Sequence, residues 1–296
     1  MTTATRTPTE WALLLALVAM WGSSFMFNKL SIATLPPATV VAARLVIGTL
    51  AMLVLLYARG LRLPPPGAVW GAYALLGFLG NALPFLLITW AQQVVESALA
   101  GILIAVMPLA TLVLAHFLVH GERVTRRRVT AFALGFAGIV FLMEPAAVAG
   151  VGGTAAQILA QGAVLLAALC YAANSVLARL LVKTDFMTAA AGTLLLATLM
   201  MIPLALFLDR PWTVSPSYGS LAAVTWLGVG PTAIATICYF RLISSAGPTF
   251  MSLVNYMSPA VAVLLGVTLL GEAPGVSAYL GLVFILSGVA LSQWRR

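Results

Sequence analysis

Apolar residues fill this chain in runs of about twenty, and polar residues gather in the short gaps between them. Ten such runs can be drawn, at 11–33, 38–57, 68–91, 98–119, 128–146, 157–181, 187–208, 219–243, 248–270 and 275–293. The gaps are rich in turn formers: Leu35-Pro36-Pro37, Pro64-Pro65-Pro66-Gly67, Gly150 to Gly153, Ser215-Pro216-Ser217. A hydrocarbon core about 30 Å thick takes about 20 apolar residues of helix, whereas barrel strands alternate in segments of about ten. The pattern predicts an all-α polytopic membrane protein with ten transmembrane helices. The first run is too long for a signal-peptide core and has no small-residue cleavage site, so it is expected to remain as a helix.

Composition agrees with the pattern. Of 296 residues, 62% are hydrophobic and 7% charged, and mean hydropathy is +1.09. A soluble domain has roughly 45–50% apolar and about 25% charged residues. The net charge of +8 would point to nucleic acid in a soluble protein, but here its distribution decides. With the N-terminus in the cytoplasm, twelve of fifteen Lys/Arg fall at inner helix ends: Arg6, Arg59, Arg62, Arg123, Arg126, Arg127, Arg128, Arg179, Lys183, Arg241, Arg295 and Arg296. That bias predicts both termini cytoplasmic; the expected location is a bacterial inner (plasma) membrane, with lipid and not nucleic acid as the surroundings. Cys170 and Cys238 lie within spans and say nothing of redox compartment.

The chain also resembles itself at an offset of 150 residues. Trp21-Gly22-Ser23-Ser24-Phe25 falls on Tyr171-Ala172-Ala173-Asn174-Ser175, Gly121-Glu122 on Gly271-Glu272, and Gly138 on Gly288. Five spans per half is an odd number, so the second half is expected to enter the membrane from the opposite side. Residues 1–150 and 151–296 are therefore expected to form two inverted five-helix repeats, together one transport unit. This plan is recurrent in secondary transporters, with the solute held near the midplane between the halves.

The run WGSSFMFNKLSIATLPPATVVAARLVIG resembles the opening of EamA-type carriers of the drug/metabolite transporter superfamily, at Trp21, Gly22, Ser23, Phe25, Lys29, Pro36, Pro37 and Arg44. The Gly-Glu pair closing the fourth span, repeated at Gly271-Glu272, is similar too. The resemblance implies ten helices, both termini inside, and movement of small metabolites. Within the superfamily it points towards exporters of aromatic and other neutral amino acids.

Helical spacing places Trp21, Ser24, Phe25 and Asn28 on one stripe and Tyr171, Asn174 and Ser175 on its counterpart. Asn81, Pro84 and Phe85 in the third span, and Ser252, Asn255, Tyr256 and Pro259 in the ninth, form similar faces. Tyr239 in the eighth span adds another aromatic. These side chains are the expected substrate-binding wall, suited to a neutral or zwitterionic solute. The competing reading is that the serines and asparagines bond neighbouring helices. Pro84, Pro108 and Pro259 are candidate hinges, or static kinks.

Lys29 is left between snorkelling and gating. Arg44 is assigned to scaffold or gate rather than to direct contact, with a carbonyl, Glu96 or an anionic solute group as its partner. No carboxylate falls at the middle of any span, and no phosphate-binding loop is present, so neither ATP nor any other cofactor is expected. His116 and His120 have metal-ligand spacing, but interfacial histidines bonded to neighbours are the commoner outcome, and no metal is expected. With no catalytic constellation in any span, the expected class is a carrier and not an enzyme. The alternative is a broad efflux carrier for lipophilic drugs or cations. Oligomeric state is left open by the sequence; a monomer suffices for one path.

Overall fold

Each short gap in the apolar pattern ends one helix and starts the next, often with a side chain that meets the free N–H groups of the new helix. The computed structural model describes residues 7–118, 126–142, 155–182, 184–251 and 253–293. In order, the helices are α1 Pro8–Ser31, α2 Pro37–Ala58, α3 Val69–Ala91, α4 Ser97–Leu118, α5 Arg126–Leu142, α6 Ala155–Leu181, α7 Phe186–Leu208, α8 Tyr218–Gly247, α9 Val254–Leu270 and α10 Val276–Gln293. Seven of them are long and apolar enough to cross a membrane, and shorter apolar helices lie within α5, α9 and α10. Thr7 and Glu10 form a reciprocal capping box on α1. The Asp185 carboxylate accepts from the N–H groups of Met187 and Thr188 at the start of α7, and the Ser217 hydroxyl accepts from that of Ser220 at the start of α8.

The chain is all-helical among the described residues, as expected, but three spans are less regular than the pattern implied. α3 opens into a π turn at Phe78–Ala82 and α8 into another at Gly228–Ile234; the two begin 150 residues apart. α4 is broken at Ala105 and Val106, just before Pro108. After α8 the chain turns at Gly247, whose φ of 81° needs a residue without Cβ. A ninth helix starting at 248 was expected; regular α9 begins later, at Val254.

Four apolar clusters hold the bundle among the described residues, the smallest around Leu35, Val40, Val224 and Leu227. One lies among α4, α5, α6 and α10, around Ile102, Leu103, Val164 and Ile285. A second joins α2, α3 and α7 around Leu45, Met52 and Met201. A third joins α1, α8 and α9 around Leu17, Leu242 and Val254.

α5 and α10 lie antiparallel, because the Arg127 Nε at the start of one donates to the Leu291 carbonyl near the end of the other. Their seam is made by glycines. A Cβ on Gly138 would sit 2.8 Å from the Gly281 carbonyl, and one on Gly288 would sit 2.5 Å from that of Ala131. Ala131 and Gly138 form the α5 side of this seam, and the Gly135 N–H lies there too. α2 and α7 are antiparallel too: the Asp209 carboxylate accepts from the Thr39 N–H at 2.6 Å, and the Thr49 and Thr198 hydroxyls meet at 2.7 Å.

Candidate functional site

The π turn of α8 follows from its sequence. Pro231 has no N–H, so the Leu227 carbonyl loses its usual i+4 donor and instead accepts the Thr232 hydroxyl at 2.8 Å. The Ala235 N–H is diverted to the Gly230 carbonyl. That leaves the Pro231 carbonyl open, and it accepts the Trp21 Nε1–H from α1 at 3.2 Å. Such turns recur at functional sites because they release backbone groups inside a helix.

The same turn holds the buried arginine. Arg44 on α2 is 8% exposed. Its Nε donates to the Thr232 Oγ1 at 2.9 Å, so one hydroxyl both accepts from Arg44 and donates to Leu227. The guanidinium lies over the Phe85 ring of α3, 3.8 Å from its centroid, a cation–π contact. Tyr171 of α6 is within electrostatic range of the same charge. Trp21 meets Tyr239 of α8 with centroids 5.8 Å apart, and Tyr239 meets Phe240 edge-on at 5.2 Å.

The amides divide into two groups. Asn174 of α6 packs on Gly80, where an added Cβ would stand 2.8 Å from the amide. Asn81 occupies the π turn of α3 beside it. Both are half-buried, as is Asn255 on α9, and none has a hydrogen-bond partner among the described residues. Asn28 differs. It is 3% exposed, its Nδ2 donates to the Gln92 Oε1 at 2.7 Å, and its Oδ1 accepts from Thr89 at 3.1 Å. The Gln92 Nε2 donates in turn to the Phe25 carbonyl. Asn28 is thus committed to a network tying α1 to α3.

The remaining expected residues separate in the same way. The Ser24 hydroxyl donates to the Trp21 carbonyl and that of Ser175 to the Tyr171 carbonyl, each within its own helix; Ser175 is exposed. Phe25 packs near Gly101 of α4. The Lys29 Nζ donates at 2.6 Å to the Gln92 carbonyl, at the C-terminal end of α3, where a cation suits the helix dipole. Pro84 opens the last segment of α3 and Pro259 lies inside α9. Ser252, His120, Glu122 and the Tyr256 side chain lie outside what is described.

The structure therefore brings together Trp21, Arg44, Asn81, Phe85, Tyr171, Asn174 and Tyr239, from five helices. Sequence reading missed Thr232, the joint between Arg44 and the π turn. The available signal was the Gly228-x-Gly230-Pro231 run, in which Gly230 falls on Gly80 at the 150-residue offset. Sequence reading singled out Glu272 in the repeated Gly-Glu pair but not its role: the carboxylate accepts from the N–H groups of Ser97 at 2.7 Å and Ala98 at 2.9 Å, capping α4.

The sequence model of the EamA-like transporter family matches this chain twice, over residues 9–144 and 158–294. The chain belongs to the EamA-like transporter family. Its relatives include the "uncharacterized inner membrane transporter YedA" of Escherichia coli (strain K12), 29% identical over 279 residues, 94% of this chain and 88% of the relative. The "probable terminal-alkyne amino-acid exporter" of Streptantibioticus cattleyicolor is 25% identical over 286 residues, 96% and 93% of the two chains. A solved crystal structure at 23% identity has the same fold, with TM-score 0.68 over 97% of each chain. This EamA-like protein is a multi-pass membrane transporter, not an enzyme.

Proposed function

We propose that this EamA-like transporter exports small neutral or zwitterionic metabolites, foremost aromatic and other neutral amino acids. It does so by alternating access between two inverted halves, 1–150 and 151–296. The observation that carries the reading is the central constellation. Phe85 and Tyr171 share α3 and α6 with the amides of Asn81 and Asn174, which have no protein partner among the described residues, and Trp21, bonded to the π turn of α8, meets Tyr239. Such a mixture of apolar walls and a few convergent polar groups suits an amphipathic solute. The similarity to a probable amino-acid exporter points the same way.

Several contacts support the inverted arrangement. Gly138 packs on Gly281 and Ile285, while Gly288 packs on Ala131 and Gly135; each set becomes the other on shifting by 150 residues. α2 and α7, which correspond at that offset, lie antiparallel and cross where Thr49 meets Thr198. The Lys/Arg distribution supports cytoplasmic termini, and the bacterial relatives support an inner-membrane location.

Purified protein in liposomes, tested for counterflow of labelled phenylalanine, threonine and a lipophilic cation, decides the matter. Exchange of the two amino acids without the cation is expected. Movement of the cation alone would establish the lipophilic-efflux alternative, and no movement of any of them would end the carrier reading as stated.

A further inference from the structure

Arg44 is held in place without being neutralised. Its Nε is bound by Thr232 and its face by Phe85. Neither Nη makes a hydrogen bond among the described residues. These nitrogens are also not sealed in, unlike the Gln161 Oε1 and Ser258 Oγ, which are buried without partners. No carboxylate among the described residues pairs with it. Glu10 accepts from Thr7, Asp185 from Met187 and Thr188, Asp209 from Thr39 and Glu272 from Ser97 and Ala98, while Glu96 lies beside Glu272 and Lys29. Arginine keeps its proton in proteins, so a full positive charge stands deep in the bundle with no counter-ion among the described residues. That is costly unless an anion arrives.

We infer that Arg44 is the anchor for a carboxylate of the transported solute, which its free Nη edge receives as a two-pronged hydrogen-bonded pair. The inference rests on the amino-acid reading above and deepens it: the solute must bear a carboxylate, and the ring of an aromatic amino acid then lies among Trp21, Phe85, Tyr171 and Tyr239. A guanidinium fork matches a carboxylate in geometry as well as charge. Thr232 fixes one edge of the guanidinium and Phe85 one face, so the fork needs little reorganisation when the solute arrives. A single cation suits a zwitterion, whose ammonium is left for the carbonyl-bearing amides of Asn81 and Asn174.

The test is competition against labelled phenylalanine counterflow in liposomes. The competitors are phenylalanine, 3-phenylpropionate (carboxylate without amine), and phenylalaninol and 2-phenylethylamine (no carboxylate). Thermal unfolding of the purified full-length protein with the same compounds is read in parallel, since a ligand that binds the folded state stabilises it. Phenylalanine and 3-phenylpropionate should compete at concentrations about tenfold to a hundredfold below the carboxylate-free pair, as expected for loss of a charge-assisted bond. Arg44→Gln should erase that preference and Arg44→Lys should keep part of it. Equal competition by all four compounds in the wild-type protein overturns the inference, and needs no variant to fold. So does an Arg44→Gln protein that still prefers carboxylates. Stabilisation by 3-phenylpropionate that Arg44→Gln abolishes upholds the anchor even if no amino acid is transported. In that case only the amino-acid reading falls.

Discussion

Asn28 and Asn174 look alike in the sequence, each an amide spaced one or two turns from an aromatic ring, yet they are spent differently. Both polar atoms of Asn28 are bonded to Gln92 and Thr89, whereas Asn174 stands against Gly80 with no protein bond among the described residues. Asn28→Ala is expected to lower stability by about 1–3 kcal/mol, because Gln92 and Thr89 lose buried partners, with the apparent KM for exchange unchanged. Asn174→Ala should do the reverse, raising KM severalfold at near wild-type thermal stability. Melting and counterflow on the same preparations check both. Helical periodicity grouped Trp21 with Asn28, Phe85 with Asn81, and Tyr171 with Asn174. It was silent on which polar groups were already satisfied, since that depends on Gln92 and Thr232, residues in other helices. Arg44 was legible as exceptional, but its partners were not: neither Thr232 nor Phe85 is close to it in sequence.

At the scale of helices, the hydrophobic runs located the ten elements to within a few residues at most ends, because lipid leaves a helix no other way to satisfy its backbone. The π turns were not legible, since hydropathy does not register one additional residue in a turn. The caps were visible only in part. Glu272 binds the first N–H groups of α4, and Glu96, the residue just before that helix, is crowded by it. Burial first, and the neighbouring Glu272 charge second, push the Glu96 carboxyl above its ordinary value, against the pull of Lys29. The folded state therefore holds this proton more tightly than the unfolded chain does. Stability from this group is fully present below the unfolded pKa and is lost as pH rises through the raised folded one. Melting temperatures of the wild type should fall as pH rises through that window. Glu96→Gln should flatten this part of the curve. A variant with the wild-type slope would show that another group sets it.

At the scale of the whole molecule, the exchange of contacts between Gly138 and Gly288 has a measurable consequence. If the halves are equivalent at this seam, Gly138→Val and Gly288→Val meet the same backbone in the opposite half. Each should cost about 1–3 kcal/mol, as overpacking does, and by similar amounts, read as paired melting curves. Strongly unequal losses would count against the pairing of halves. The repeat itself was legible from the offset of 150 residues; how the halves touch was not, because small residues spaced along a span announce contact without naming the partner.

The wide turn in α8 gives the helix two angular registers. Each residue of an α-helix advances the chain by about 100°, so one surplus residue before Ala235 swings everything beyond it by more than a quarter-turn. Tyr239 meets Trp21 in the second register, not the first. Shortening Gly228–Ile234 by one residue would rotate that phenol off the wall without replacing any residue that forms it. If Tyr239 lines the path as proposed, cargo preference on this scaffold is adjustable by chain length alone, a route of variation that no comparison of wall residues would detect.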